Sequence, residues 1–254
     1  MVNFQSSDIP DLSNQVIIVT GGNAGLGYEM IRQLRQHNPA RIYLAARSQQ
    51  RAEAAIQQLK QDGYEIQFGT NVIGPALLTQ SLLPMIKETA GLNPEARAVF
   101  LTSASEAVAP RDIYDFAELK TTMSGRHTTK RYALSKLATI HYASALAERH
   151  KGVKIVSVHP GMVATNLHHS STGFFLRPFL YAAINLFATP VDKGVLSQIW
   201  AAVSPDVKTG EYYSPIGIAG KGSNASKDRN LQESLYKWIQ TELEAQVEDL
   251  TQPS

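Results

Sequence analysis

Two side chains that could exchange a proton with a substrate, Tyr132 and Lys136, lie four residues apart. The stretch from Thr129 to Arg149 contains no glycine or proline and predicts a helix. Residues at positions i and i+4 share a helix face, so the phenol and the ammonium group are expected to lie close together. A neighbouring cation favours phenolate and lowers the pKa of tyrosine toward the range of a general acid or base. The pair is a weak signal by itself, because the same spacing occurs by chance on many surface helices.

A glycine-rich turn upstream of this pair strengthens the interpretation. Residues 16–19 form an apolar, β-branched run that is typical of a strand buried in a parallel sheet. Thr20-Gly-Gly-Asn-Ala-Gly-Leu-Gly27 follows, and a helix is predicted from about Tyr28 to Gln36. A strand, a glycine turn and a helix N-terminus in this order form a site for the pyrophosphate of a dinucleotide. The residues of the turn that we expect to bind the cofactor are Gly21, Asn23, Gly25, Leu26 and Gly27.

The end of the second predicted strand indicates which dinucleotide binds. The strand runs from Arg41 to Ala46, and Arg47 follows it. In a site for NAD, an acidic residue about 20 residues beyond the glycines usually accepts a hydrogen bond from the ribose 2′-hydroxyl. Arginine cannot accept that bond but can pair with a 2′-phosphate. The sequence therefore favours NADP (NADPH) over NAD, and the alternative is that Arg47 is a solvated residue at a strand end.

Two further buried strands are predicted at residues 98–102 and 153–158, and small polar residues or glycine follow each of them. Ser103 and Ser105 follow the first strand, either as ligands of a bound molecule or as caps of a turn. Ligands of parallel sheets bind at the carboxyl ends of the strands, so these residues are expected to line a crevice. The residues expected to line it after the second strand are Gly161, Val163 and Thr165.

Composition excludes several classes of protein. The 254 residues are 43% hydrophobic, which suits a single domain over residues 1–254, and the net charge of +2 with scattered basic residues gives no support for nucleic-acid binding. There is no cysteine, and the adjacent His168 and His169 point apart, so no metal site is expected. The N-terminus lacks the basic and apolar regions of a secretory signal, which favours a cytoplasmic location.

The most apolar part of the chain lies in residues 174–190, which we interpret as a lid over a hydrophobic substrate. Arg177, Pro178 and Asn185 interrupt it, and it is too short to span about 30 Å of hydrocarbon. A helix on the membrane surface is the alternative, so peripheral membrane contact stays open. Leucines and Trp238 at helical spacing predict a C-terminal helix over residues 230–248.

In combination these motifs resemble the short-chain dehydrogenase/reductase family, and within it the retinol-dehydrogenase-like branch with its many fungal enzymes. The resemblance rests on the glycine motif at residues 20–27, on Tyr132-x-x-x-Lys136 and on His159-Pro-Gly161, with further likeness at residues 67–74 and 210–213. It implies an α/β fold, a single Rossmann-like domain with a doubly wound parallel sheet. It also implies a catalytic tetrad of Asn71, Ser103, Tyr132 and Lys136, with Ser105 as the alternative to Ser103.

The resemblance also implies a role for each member of the tetrad. Tyr132 would give a proton to a carbonyl oxygen in reduction, or take one from an alcohol in oxidation. Ser103 would hydrogen-bond that oxygen, and Lys136 would lower the pKa of Tyr132 and hold the nicotinamide ribose. Asn71 would keep a water molecule in a proton relay, and Tyr132, Lys136 and Asn71 would all lie against the cofactor, which supplies the hydride.

One departure from the family is large. The family has a strand, a crossover helix and a further strand leading into Asn-Asn-Ala-Gly, yet only 23 residues separate Arg47 from Asn71. The sheet is therefore expected to have one or two strands fewer than the family norm. We expect the strand ending at Thr102 to pair directly with residues 16–19, and the alternative is a substitute strand at Tyr64 to Phe68. A third interpretation is a gene model or splice form that lacks an in-frame stretch.

Two functions are compatible with these observations. The first is an NADP-dependent oxidoreductase that acts on a carbonyl or secondary alcohol of a small, apolar metabolite, with activity reduced by the missing segment. The alternative is a non-catalytic or inactive relative that binds a dinucleotide or a protein partner. The tetrad favours the first function and the missing segment favours the second, while a homo-oligomer is compatible with both.

Overall fold

Six β-strands in two separate sheets form the framework of the described chain, and they confirm the predicted Rossmann-like α/β fold. The computed structural model describes residues 2–45, 63–110, 112–161, 163 and 189–251. The strands are β1 Val16–Thr20, β2 Arg41–Ala45, β3 Arg97–Leu101, β4 Lys154–Val158, β5 Tyr212–Ser214 and β6 Ile218–Ala219. β1 and β2 pair in parallel, and the second sheet has the order β3-β4-β5-β6. The sequence pattern of residues 210–215 predicts a last strand at the edge of the sheet, but β6 runs antiparallel beside β5, so this prediction was wrong.

The described residues contain five helices of eight residues or more. They are α1 Gly25–Leu34, α2 Gly74–Leu92, α3 Thr128–Arg149, α4 Leu196–Val203 and α5 Arg229–Thr251. Shorter helical turns lie at Ser6–Asp8, Arg35–His37, Ile66–Phe68, Gly69–Ile73, Ala104–Val108, Phe116–Leu119, Val191–Gly194 and Ala225–Lys227. Pro84 predicts a break in the helix over residues 75–87, but α2 continues through it, so this prediction was wrong. None of the described helices is long and apolar enough to cross a membrane.

The helix that carries Tyr132 and Lys136, α3, lies at the centre of the larger core. Fourteen of its 22 residues are buried, because apolar residues, mostly alanine and leucine, occur on most of its faces. It packs on β4 and on α5, and its Leu134, Ala138 and Leu146 belong to one cluster with Phe68 and Leu235. The predicted helices over residues 129–149 and 230–248 are thereby confirmed, with ends shifted by a few residues.

α4 joins the two sheets from one side. Its Ile199 packs in a cluster with Leu34 of α1, where Ile17 and Ile42 of the first sheet also lie. Its Trp200 and Ala201 pack against Val156 and Val158 of the second sheet. One helix therefore packs against residues of both sheets.

The sheet is interrupted between β1 and β3, which contradicts the expected direct pairing. Among the described strands, β1 bonds to β2 and β3 bonds to β4. The substitute strand is wrong as well, because residues Ile66–Phe68 are helical and the Glu65 side chain caps them by accepting from the Phe68 amide at 2.7 Å. The sheet tolerates the interruption because the edge of β1 is exposed to solvent. Val16 and Ile18 are 63% and 45% exposed, so the backbone groups at this edge can bond to water instead of being buried unpaired.

Several predicted features lie outside the described residues. They are Arg47, Thr165, most of the lid at residues 174–190, and a surface helix that the spacing of Ala52, Ala55, Ile56 and Leu59 predicts over residues 49–61.

Candidate active site

The fold brings the phenol of Tyr132 and the ammonium group of Lys136 together, as their spacing predicted. The Lys136 Nζ atom lies 5.5 Å from the centroid of the Tyr132 ring. Lys136 is only 9% exposed, and this burial lowers the pKa of its ammonium group to about 8. Its Nζ atom donates a hydrogen bond to the Leu101 carbonyl oxygen at 3.2 Å. A buried cation with one backbone partner is therefore poised to interact with a polar group that enters the crevice.

The pKa of Tyr132 does not follow the sequence argument. Burial raises the pKa of the Tyr132 phenol, and the hydrogen bond with Ser103 opposes that rise. Lys136 does not contribute to the shift of the Tyr132 pKa, because its Nζ atom lies near the ring and bonds to the Leu101 carbonyl. In this structure the phenol therefore keeps its proton well above neutral pH, which suits a proton donor.

Ser103, and not Ser105, is the serine beside Tyr132. Ser103 immediately follows the extended end of β3, and its hydroxyl oxygen accepts a hydrogen bond from the Ser105 amide at 3.2 Å. The Ser103 side chain is also the one that bonds to the Tyr132 phenol. The hydroxyl of Ser105 is buried without a partner among the described residues. The geometry thus separates two serines that the sequence left as alternatives.

Asn71 bonds to residues of α3 and does not bond directly to Tyr132 or Lys136. It lies in the π-helical turn Gly69–Ile73, a distortion often found at functional sites. Its Nδ2 atom donates to the Ser135 hydroxyl at 3.0 Å, and its carbonyl accepts from Thr139 at 3.4 Å. These bonds place Asn71 against the part of α3 that carries Lys136.

The glycine turn has the shape that dinucleotide binding requires. Gly21 and Gly25 have φ values of +65° and +54°, a region that favours glycine. A Cβ on Gly27 would lie 2.4 Å from the Gly21 carbonyl oxygen, so only glycine lets α1 pack this closely on the turn. No side chain caps the N-terminus of α1, whose N-cap residue is Ala24. Its first amides are therefore available to a phosphate, and Asn23 and Leu26 flank them.

A second place where glycine allows close packing of the backbone follows the carboxyl end of β4. Gly161 has a φ of +87°, and Val163 is buried and forms a parallel bridge with Thr189. Gly194, which the sequence analysis missed, permits this packing, because a Cβ there would lie 2.4 Å from a methyl carbon of Val163. A glycine inside an otherwise helical stretch was the signal for such a contact.

Sequence reasoning also missed two groups at the end of β3 that hold α3 in place. The buried Thr102 hydroxyl donates to the Lys136 carbonyl at 2.7 Å, while the Leu101 carbonyl accepts from the Lys136 ammonium. Both sides of Lys136, backbone and side chain, are thus bonded to the end of one strand. A backbone acceptor carries no sequence signal, so only the fold reveals this anchor.

Comparison with known proteins gives a consistent result. A family model described as an SDR-like Rossmann domain matches residues 9–79. A short-chain dehydrogenase/reductase of Armillaria gallica is 29% identical, and the alignment covers 92% of each chain. A crystal structure of an uncharacterised protein from Mycobacterium paratuberculosis matches with a TM-score of 0.68 and 20% identity, over 96% of this chain and 98% of that one. A short-chain dehydrogenase structure from Shigella flexneri, complexed with NADP, matches with a TM-score of 0.55 and 16% identity, over 80% and 98%.

The alignment with the Armillaria gallica relative also contains gaps long enough to account for the departure from the family. It spans 290 positions, whereas 92% of this 254-residue chain is about 234 residues, so roughly 56 residues of the relative face gaps in this chain. That number exceeds the roughly 30 residues of a strand–helix–strand unit, in agreement with the interrupted sheet. The retinol-dehydrogenase-like branch stays a prediction. The glycine turn on α1, the Tyr132 and Lys136 pair on α3 and the full-length match to this relative together show that the chain is an oxidoreductase of the short-chain dehydrogenase/reductase family.

Proposed function

We propose that the chain is an NADP-dependent oxidoreductase that transfers a hydride between the nicotinamide and a carbonyl or secondary alcohol of a small, apolar metabolite. The observation that carries the proposal is the arrangement of Tyr132, Ser103 and Lys136 at the end of β3. A proton donor, a hydroxyl bonded to it and a buried cation lie together there. Turnover of a panel of aldehydes and ketones with NADPH, followed by absorbance at the nicotinamide band, tests it directly.

The proposed mechanism assigns a separate task to each side chain. In reduction, the Ser103 hydroxyl donates a hydrogen bond to the substrate oxygen and stabilises the negative charge that develops there. The Tyr132 phenol gives its proton to that oxygen. The Lys136 ammonium, 5.5 Å from the centroid of the Tyr132 ring, would stabilise the phenolate left behind once it leaves the Leu101 carbonyl. The bound nicotinamide supplies the hydride to the carbonyl carbon. In oxidation the same proton returns to Tyr132.

The residues that would hold the cofactor fit a dinucleotide. The first amides of α1 and the turn at Gly21, Gly25 and Gly27 would bind the pyrophosphate. Gly161 and Val163 lie at the carboxyl end of β4, where the nicotinamide would rest. Arg47 supports the 2′-phosphate assignment from the sequence, and the Shigella flexneri structure of the same fold contains NADP. We also propose that Thr165 contributes to the cofactor site and that residues 174–190 form a lid over an apolar substrate.

A second candidate function is a relative that binds dinucleotide without catalysis, and one contact favours it. The Lys136 ammonium is bonded to the Leu101 carbonyl, at the edge of the interrupted sheet. An ammonium held there is less available to the ribose and to Tyr132. Tight NADPH binding measured by fluorescence, without turnover of any carbonyl compound, would support this candidate.

Replacement of Tyr132 by Phe is expected to abolish most of the activity while the protein stays folded. The substitution keeps the ring and removes the proton that the mechanism transfers. We expect kcat/KM to fall by about 10²- to 10⁴-fold, with NADPH affinity retained. Steady-state kinetics, fluorescence titration and thermal unfolding measure the three quantities. Tyr236→Phe on α5 is the control and keeps its activity, whereas an active Tyr132→Phe enzyme would disprove the mechanism.

The two serines after β3 are expected to differ in their contribution. Ser103→Ala removes the hydroxyl that bonds to Tyr132, and we expect a loss of about 10²- to 10³-fold in kcat. Ser105→Ala removes a hydroxyl without a partner among the described residues, and its kcat stays near the wild-type value. Paired kinetic measurements on the two variants decide the assignment, and a larger loss in Ser105→Ala would reverse it.

The pKa of Lys136 predicts a pH dependence. Because burial lowers this pKa to about 8, the positive charge is present below pH 8 and is lost as the pH rises through that value. In the unfolded chain the pKa of lysine is about 10.4, so between these values the unfolded state binds more protons and stability rises with pH. A carbon NMR titration of labelled lysines should show one resonance with a midpoint near 8 that is missing in Lys136→Met. No such midpoint below about 10 would contradict the burial argument.

Arg47 is expected to set the choice of cofactor. A charge-assisted contact contributes roughly 1.5–3 kcal/mol, so NADPH should bind about tenfold or more tightly than NADH. Arg47→Asp should narrow or reverse this ratio, because it replaces the partner of the 2′-phosphate by an acceptor for a 2′-hydroxyl. Arg41→Asp, with the same change of charge at the other end of β2, should leave the ratio unchanged. Fluorescence titrations measure both affinities, and equal wild-type affinities would exclude the role of Arg47.

A further inference from the structure

The place of the Ser103 hydroxyl depends on the short helical turn Ala104–Val108 that follows it. Ser103 is the N-cap residue of this turn, and its Oγ atom accepts a hydrogen bond from the Ser105 amide at 3.2 Å. The Ser103 carbonyl accepts from the Glu106 amide at 3.1 Å. The same hydroxyl bonds to the Tyr132 phenol. A shift of the turn would therefore move the hydroxyl relative to the proton donor.

Glu106, in the middle of this turn, has a buried carboxylate whose partners are neutral. It is 3% exposed, and its two oxygens accept from the amide and the hydroxyl of Ser223 at 3.0 and 2.6 Å. None of the ion pairs among the described residues includes Glu106. Burial raises the pKa of the Tyr212 phenol, and the charge of Glu106 raises it further. A buried charge without a counter-charge adds little stability, so the contribution of Glu106 is expected to lie in the geometry of the site.

Ser223, the partner of Glu106, is itself held in place by the core. Its Oγ atom accepts from the Ser226 amide at 3.2 Å, and its carbonyl accepts from the Ser226 hydroxyl at 2.8 Å. Two residues further on, the Ala225 carbonyl accepts from Nε2 of the fully buried His141 on α3 at 2.8 Å. Because a carbonyl can only accept, Nε2 carries the proton, and Nδ1 accepts from the Tyr114 hydroxyl at 2.8 Å. The segment that contains Ser223 is thereby attached to α3.

Two side-chain contacts therefore restrain the turn after Ser103. One is the pair of bonds from Ser223 to Glu106, which is partly buried. The other is the bond from the Lys130 ammonium to the Val108 carbonyl at 3.1 Å, which is exposed to solvent. Hydrogen bonds in a buried environment are stronger than those that compete with water. Glu106 is accordingly the stronger of the two restraints.

We propose that Glu106 is a positioning residue, which keeps the Ser103 hydroxyl against Tyr132 by fixing the turn Ala104–Val108 to Ser223. Glu106 acts through Ser103, so it is distinct from the residues that would touch the substrate or the cofactor. The catalytic part of this inference rests on the proposed function, since that function gives Ser103 its task. The restraint on the turn is a separate property and can be measured without catalysis.

The first test compares substitutions of Glu106 by steady-state kinetics. Glu106→Ala removes both bonds to Ser223, and we expect kcat to fall by about 10- to 100-fold, as for a small misplacement of a catalytic group. KM and NADPH affinity should stay unchanged, because the hydroxyl acts on charge that develops in the transition state. Glu106→Gln should keep kcat within about threefold of the wild type, since an amide can accept from the Ser223 amide and donate to its hydroxyl oxygen. Glu148→Gln, at an exposed position of α3, is the control and keeps its activity.

A double-mutant cycle separates positioning from a general loss of structure. The Ser103→Ala/Glu106→Ala variant should have the same kcat as Ser103→Ala alone, because Glu106 acts through a hydroxyl that is already missing. Losses that multiply would mean that Glu106 acts by another route and would overturn the proposal. A loss confined to KM, or an equal loss of kcat in Glu106→Gln and Glu106→Ala, would overturn it as well.

Amide hydrogen exchange measures the restraint on the turn independently of activity. The amides of Ser105 and Glu106, which both bond to Ser103, should exchange about tenfold faster in Glu106→Ala and near the wild-type rate in Glu106→Gln. The amide of Val156 in β4 reports global stability and should not change. Unchanged exchange at Ser105 in Glu106→Ala would contradict the proposal. If Ser103→Ala keeps full activity, the proposed role of Ser103 fails, and the exchange rates alone decide whether Glu106 holds the turn. If Glu106→Ala does not fold, Ser223→Ala removes one of the two bonds and gives the same comparisons with smaller effects.

Discussion

The anchoring of α3 to the end of β3 is the interaction on which the candidate site depends. Thr102 bonds to the backbone of Lys136, and the Lys136 ammonium bonds to the Leu101 carbonyl. These two bonds set the rotation and the height of α3 relative to the sheet, so that Tyr132 meets Ser103. Because both partners are buried or nearly so, a broken bond would leave an unpaired polar group in the core. The position of the proton donor is therefore coupled to the packing of α3 on the end of β3.

The same anchor connects the site with the interrupted sheet. The carbonyl of Leu101 points to the free edge of β3, on the side away from β4, and in this structure it bonds to the Lys136 ammonium. The Lys136 ammonium and the unpaired edge of β3 thus share one acceptor, the Leu101 carbonyl.

The fold survives the interruption because two different layers hold it together. α4 binds both sheets from one side through Ile199 and Trp200, and the core around α3 is closed by α5 and by the short helix that contains Phe68. Hydrophobic burial in these layers replaces the backbone ladder that would otherwise join β1 to β3. The exposed edges avoid the large cost of buried, unpaired amides, since water can reach them.

The sequence predicted the local features of the protein well, because each rests on residues close together in the chain. The glycine turn and the helix of Tyr132 and Lys136 follow from periodicity, glycine placement and spacing, and the resemblance to the family adds the expectation of a missing internal segment. The tertiary structure decided what depends on distant partners. Residues 64–68 alternate as a strand does but are helical, because Phe68 packs on Trp238 and Glu65 caps the turn. The interruption of the sheet, the raised pKa of Tyr132 and the choice of Ser103 over Ser105 depend on burial and solvent access, which no local pattern records.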